Sequence, residues 1–135
     1  MMYLALAVEQ RHMPAIYSTI DVETAERTQS SSSGTNHVDL VSELGCTEMR
    51  PRVWDLSPGD AMSYHRQREQ EEFYYVLSGP ARIRIGEETH DLPEGTALRI
   101  PPETPRQIIN DTDDDHRWLV VGAPAVENDG ELVEE

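Results

Sequence analysis

Gly59-Asp60-Ala61-Met62-Ser63-Tyr64-His65-Arg66-Gln67, followed after a short gap by Glu72-Phe73-Tyr74-Tyr75-Val76-Leu77-Ser78-Gly79, decides the fold. Both runs carry β-branched or aromatic residues and end at turn-forming ones, the pattern of short strands. His65 and Gln67 are two apart, so on a strand both point to one face. Glu72 opens the next strand, and across an antiparallel pair it comes within reach of them. Alternation from Glu72 puts Tyr74 on the same face and Tyr64 and Tyr75 on the opposite one, where they can pack against a neighbour.

The same rhythm continues outward. Arg52–Leu56 reads as a strand closed by Ser57-Pro58-Gly59-Asp60, a turn with Pro and Gly at favoured positions. Ala61–Gln67, Phe73–Leu77, Arg82–Ile85, Thr89–Leu92, Ala97–Ile100, Gln107–Ile109 and Trp118–Val121 follow, most of them closed by Gly or Pro. Turns at intervals of roughly eight to twelve residues predict an all-β sandwich or barrel. Before this block, Ala15–Val22 could form a strand and Ser30–Gly34 reads as a flexible loop. Val38, Leu40, Val41 and Leu44 have helical spacing, with Gly45 as a stop. The expected organisation is an N-terminal extension over 1–36, a barrel over 37–124 and a loose acidic tail over 125–135.

A third run, Gly95-Thr96-Ala97-Leu98-Arg99-Ile100-Pro101-Pro102-Glu103-Thr104-Pro105-Arg106, continues to Asn110. Together the runs resemble the two motifs of the cupin superfamily. Gly59, His65, Glu72 and Gly79 fall at positions of the first motif, and Gly95, Pro101 and Asn110 at positions of the second. The resemblance covers a little over half the chain, Arg50 to Ala123 being the barrel. It implies a small single-domain cupin of the conserved-barrel type, a double-stranded β-helix or jelly roll, here with a short N-terminal helix. It also implies a homodimer. It does not fix a function, since one fold hosts many chemistries.

Metal-binding cupins use three His and one Glu. Here Gln67 stands in place of the second His and Arg106 in place of the third. An amide oxygen is a weaker ligand than imidazole for a transition metal. A guanidinium is always protonated and cannot ligate. The resemblance therefore implies an Arg106–Glu72 pair where the metal would sit, in a site that is metal-free or binds Fe, Mn, Ni or Zn weakly. Three function classes follow. One is a binding module for a small polar or anionic metabolite, with His65, Gln67, Tyr74 and Arg106 as contacts. A second is an enzyme: an isomerase with His65 and Glu72 as acid and base, or a metal-dependent enzyme such as a dioxygenase with His65, Gln67 and Glu72 as ligands. The third is a non-catalytic barrel filled by the Arg106–Glu72 pair.

Other conspicuous residues have plainer readings. Trp54 and Trp118 suit a core or a subunit interface. His90 reads as a surface residue, and His116, beside Asp113–Asp115, as part of a solvated loop without calcium-loop spacing. Cys46 is the only cysteine, so no internal disulfide can form, and a small buried hydrophobe is its simplest role. Met1–Val8 is apolar but short and lacks a basic flank, and Met13 is an alternative start. The expected location is the cytoplasm.

Charge is the strongest compositional signal. Asp and Glu number 26 against 11 basic residues, all arginine, for a net charge of −15. Nucleic acid needs a basic stripe, and an anionic membrane surface repels such a chain. The Lys-free, acid-rich pattern resembles proteins of halophilic archaea, whose carboxylates retain hydration while strong salt screens their repulsion. Dialysis from molar KCl into dilute buffer is predicted to unfold the protein partially or dissociate it. A circular dichroism spectrum and cooperative melt unchanged by that dialysis would refute the halophilic reading.

Overall fold

A computed structural model describes residues 16–135; Met1–Val8, His12 and Met13 lie outside the described residues. In chain order the elements are β1 (Thr28–Gln29), β2 (Asn36–Asp39), α1 (Leu40–Leu44), β3 (Arg50–Leu56), β4 (His65–Gln67), β5 (Glu71–Ser78) and β6 (Ala81–Ile85). They continue with β7 (Glu88–Leu92), β8 (Ala97–Ile100), β9 (Arg106–Ile109), β10 (His116–Ala123) and β11 (Gly130–Leu132). One sheet has the order β1-β2-β3-β10-β5-β8 and the other β11-β4-β9-β6-β7. All pairings are antiparallel, and the two sheets face each other as a jelly-roll barrel.

Alternation along the strands builds the core. In β5, Glu72, Tyr74 and Val76 are buried while Glu71, Phe73 and Leu77 are exposed. In β10, His116, Trp118, Val120 and Gly122 are buried. Trp54, Leu56, Val76, Ile83, Ile100, Ile108 and Trp118 fill the closed part of the barrel. Trp118 meets Tyr74 edge-on, with ring centroids 5.9 Å apart. Outside the first sheet, Val38, Leu40 and Val53 form a second cluster with Leu44 and Leu119, so α1 covers that outer face.

The helix is bounded as its sequence dictates. The Asp39 carboxylate accepts the Val41 N–H, and Gly45 closes the helix with φ +75°, a conformation glycine adopts without a Cβ clash. Asn110 ties together the turns on either side of it. Its Nδ2 donates to the carbonyls of Leu56 and Asp114, and its Oδ1 accepts from Thr112.

Four segments differ from expectation. Residues 16–22 form no strand. The proposed strand from Ala61 shortens to β4, preceded by a single bridge between Ala61 and Ile109. His116 is buried on β10 rather than solvated, because the inward alternation of that strand reaches it and Thr112 Oγ1 bonds its Nε2 at 3.2 Å.

The fourth difference is the largest. The segment after 125 is not a loose tail: β11 pairs with β4, matching Gly130 to Gln67 and Leu132 to His65. Asp129 is buried, and its carboxylate accepts the backbone N–H groups of Arg68, Glu69 and Gln70. Glu131 pairs with Arg66 and Arg68. Burial alone would raise the Asp129 pKa, but the three N–H donors and the nearby Arg68 charge bring it below the ordinary carboxylate range. Asp129→Ala leaves the buried Gln70 N–H and the half-buried Glu69 N–H without their acceptor, so it should cost about 1–3 kcal/mol. Urea denaturation in molar KCl measures the loss, and amide exchange at 68–70 should quicken; unchanged exchange there would contradict the latch.

Candidate functional site

In-register pairing places the site residues in rows across the first sheet. Arg50, Gly122, Glu72 and Ile100 form one row. Arg52, Val120, Tyr74 and Leu98 form the next, and Trp54, Trp118 and Val76 the third. The rows run from the aromatic core towards an open end. His65 faces them from the second sheet, where it pairs with Arg106. His65 and Gln67 thus meet Glu72 across the barrel and not across a hairpin, because β4 and β5 belong to different sheets. The turn at 68–70, held by Asp129, carries the chain from one sheet to the other.

A cavity of about 370 Å³ opens at this end. Its wall includes Arg50, Arg52, Trp54, His65, Gln67 and Glu72, and Gln70 with the segment Val126–Leu132 borders it as well. Two glycines make room. A Cβ on Gly122 would stand 2.8 Å from Gln70 Oε1, and one on Gly130 would stand 3.2 Å from Gln67 Oε1. Gln70 is fixed in that space, donating to the carbonyls of Pro124 and Val126 and accepting from Gln67 Nε2.

Glu72 and Arg106 come together as the sequence implies. Arg106 Nη2 lies 3.2 Å from Glu72 Oε1, a charge contact off the line of a hydrogen bond. Arg106 is wholly buried, and its Nη1 donates to the carbonyls of Pro102 and Thr104 at 2.9 and 2.6 Å. The Tyr74 hydroxyl donates to Glu72 Oε1 at 2.8 Å, and burial pushes its pKa well up. Arg106 and Tyr74, expected to touch a ligand, lie behind the cavity wall with their polar groups turned to Glu72 and the backbone. Both contact Glu72, and neither is among the residues that line the cavity.

His65 and Gln67 do reach the wall. The Ser63 carbonyl lies 2.8 Å from His65 Nδ1, which fixes the proton there and leaves Nε2 with the lone pair. Burial lowers the His65 pKa, against the pull of the Ser63 bond and the Glu72 charge, so the ring is neutral near pH 7.

Arg50 and Arg52 were not foreseen as site residues. Their sequence signal is the i, i+2 spacing with Trp54 on one strand, which turns all three inward. Burial lowers the Arg52 pKa, with the Arg50 charge adding to it, and its Nε is buried without an acceptor.

The donor set does not fit the divalent metal that the fold suggests. Glu72 Oε1 is already engaged by a phenol and a guanidinium, and Gln67, whose Nε2 donates to Gln70 and Asp129, offers only an amide oxygen, a weaker ligand than imidazole. Only His65 keeps an uncommitted nitrogen, and Arg106 brings a fixed positive charge.

The family pattern described as a cupin domain matches residues 52–122. The chain belongs to the cupin family. Among curated proteins this cupin is similar to an uncharacterized protein of Methanocaldococcus jannaschii, 33% identical over 52 residues. That match spans 38% of this chain and 42% of the relative, well under two thirds of its length. Among solved structures it resembles a cupin protein from Bacteroides fragilis, at 25% identity and a TM-score of 0.69, covering 90% of this chain and 100% of that one. It also resembles the polyketide cyclase RemF of Streptomyces resistomycificus, with a TM-score of 0.75, 21% identity and coverage of 87% and 86%. A sugar phosphate isomerase of the cupin superfamily from Silicibacter pomeroyi gives 0.71, 24% identity and coverage of 78% and 74%. The spread of activities among these neighbours leaves the specific function of this cupin open.

The buried pair sets a sharp expectation. Arg106→Leu should cost about 3–5 kcal/mol, because it strands the Glu72 carboxylate, whereas adding Glu72→Leu should restore most of the loss. Urea midpoints of the two variants and the parent give the coupling; additive losses would show that the pair is not a unit.

Proposed function

We propose that this cupin binds a small anionic metabolite inside the barrel and needs no resident transition metal to do so. One observation carries the reading. Among the described residues, eight arginines form ion pairs; Arg50 and Arg52 do not, and both line the cavity. In a chain with 26 acidic residues, leaving two guanidinia unpaired on one wall calls for an external partner. His65 Nε2 supplies an acceptor and Gln67, also on the wall, keeps its Oε1 as another, so hydroxyl groups on the ligand can be satisfied too.

A catalytic reading has one observation in its favour: a neutral His65 with a free ring nitrogen on the cavity wall is equipped as a general base. Turnover lost in His65→Gln with binding retained would support it.

Thermal denaturation against anionic and neutral metabolites, at constant KCl, tests the binding reading. A ligand at 100 times its Kd adds about 2.7 kcal/mol, enough to raise the Tm by several degrees. Anions should give that rise and neutral sugars should not, and Arg52→Gln should remove it. A rise that is equal for neutral sugars, or that survives Arg52→Gln, would overturn the proposal.

A further inference from the structure

Resting on the reading of the cavity as an anion site, we infer that its ligand presents two negative charges on one end, as a phosphate monoester or a dicarboxylate, to Arg50, Arg52 and the Ser30–Ser32 turn. The charge count leads there. The Glu72 charge is met by Arg106 at 3.2 Å. Asp129 is engaged by three backbone N–H groups, and Glu131 by Arg66 and Arg68. Glu127, the remaining acid on the wall, is exposed at the rim, where water and salt screen it. Asp39, opposite Arg52 on β2, is committed to capping α1, so two guanidinia are left without an ion pair. A neutral ligand leaves both uncompensated, a monoanion leaves one, and a dianion balances them.

The geometry agrees with the count. Arg50 and Arg52 are two residues apart on β3, hence about 6.6 Å apart along the strand and on one face. Their pairing neighbours on β10 are Gly122 and Val120, which offer no side-chain acceptor; on β2 Arg52 faces Asp39, whose carboxylate is taken by the Val41 N–H and the Ser42 hydroxyl and forms no ion pair with it. Arg52 Nε is buried and lacks a partner. A phosphoryl or dicarboxylate group has enough oxygens to accept from two guanidinium forks at once.

Ser30 and Ser32 lie on the same wall. Ser30 Oγ is 3.1 Å from Ser32 Oγ, and Ser63 Oγ donates to Ser32 Oγ at 2.9 Å. The stretch that reads from sequence as a flexible serine loop is a closed turn, with Gly34 N–H donating to the Ser30 carbonyl and Ser30 N–H to that of Thr35. Hydroxyls held beside arginines solvate an oxyanion without adding charge.

Isothermal titration calorimetry on the full chain, at pH 8 and constant ionic strength in KCl, tests the inference with glycerol phosphate, malonate, acetate and glycerol. Glycerol phosphate, whose second ionisation lies near pH 6, and malonate are both dianions there. At least one of the two should bind roughly 10-fold or more tightly than acetate, and glycerol should not bind. Arg50→Gln and Arg52→Gln should each weaken the dianion about 10-fold and erase its advantage; either suffices if the other fails to fold. Binding of glycerol phosphate alone assigns a phosphoryl ligand, and of malonate alone a dicarboxylate. Acetate binding as tightly as both dianions, with loss in the arginine variants, overturns the two-charge inference but leaves the anion site standing. Affinity for no anion, or affinity indifferent to both variants, overturns the inference and the proposed function together.

Discussion

A carboxylate buried inside a β-barrel has to be compensated, and Glu72 sets that requirement for this protein. It sits on β5 with little exposed surface, between Gly122 on one side and Ile100 on the other, neither of which carries charge. Removing an ionised carboxylate from water costs several kcal/mol, which a partner in good geometry can offset. A divalent metal with three imidazoles is one solution. Arg106 is another, a permanent cation beside the carboxylate that a metal would use. The rest of the site follows. Arg106 Nη1 finds acceptors in the bend after Pro101-Pro102, the carbonyls of Pro102 and Thr104, while its Nε is buried without one. Tyr74, next inward from Glu72, gives its hydroxyl to the same carboxylate.

With the Glu72 charge met from behind by Arg106, the unpaired charges on the cavity wall come from β3. Arg50 and Arg52 occupy rows that in a hydrophobic barrel would carry Val or Leu like the Trp54 and Leu56 positions below them. The C-terminal segment completes the enclosure. Without β11 the Asp129 latch would be gone, the 68–70 amides would face solvent, and Gln67 would lose one of its partners. Closure of the mouth and orientation of the polar wall are therefore one structural event.

The sequence was informative where structure is local. Alternation in Arg82–Ile85 and in the run from Glu72, the turn at Ser57–Asp60, and Gly45 after a helical spacing all reported the element they form. Trp54 and Trp118 are buried as a core requires. The two cupin motifs added the jelly-roll fold, though not which strands pair, and the contact of Arg106 with Glu72 was legible because both sit at motif positions. What failed was non-local. Gly130–Leu132 is too short to show a period, and its stability comes from β4, more than sixty residues away. Asp129 looked like one acid among many, since nothing in its neighbours announces three amide donors from another segment. Arg50 and Arg52 fell outside both motifs, and their inward direction depends on which face of β3 the barrel closes upon.

The two oddest features of the composition, the surplus of acid and the absence of lysine, take on a related meaning at this cavity. A net charge of −15 repels an anionic ligand from a distance, so at low ionic strength the exterior would oppose the site it encloses. At about 1 M salt the Debye length falls to roughly 3 Å, and that long-range opposition disappears. A contact ion pair with Arg50 and Arg52, partly shielded from water by Trp54 and the β11 segment, is screened far less than charges on the surface. Salt thus removes the repulsion and spares much of the attraction. Arginine is the cation suited to that task, since it is weakly hydrated, permanently charged and forked toward oxyanions, whereas a buried lysine readily loses its proton. A carboxylate-rich exterior and an anion site at Arg50 and Arg52, as proposed, are compatible in a salt-rich solvent and conflict in a dilute one.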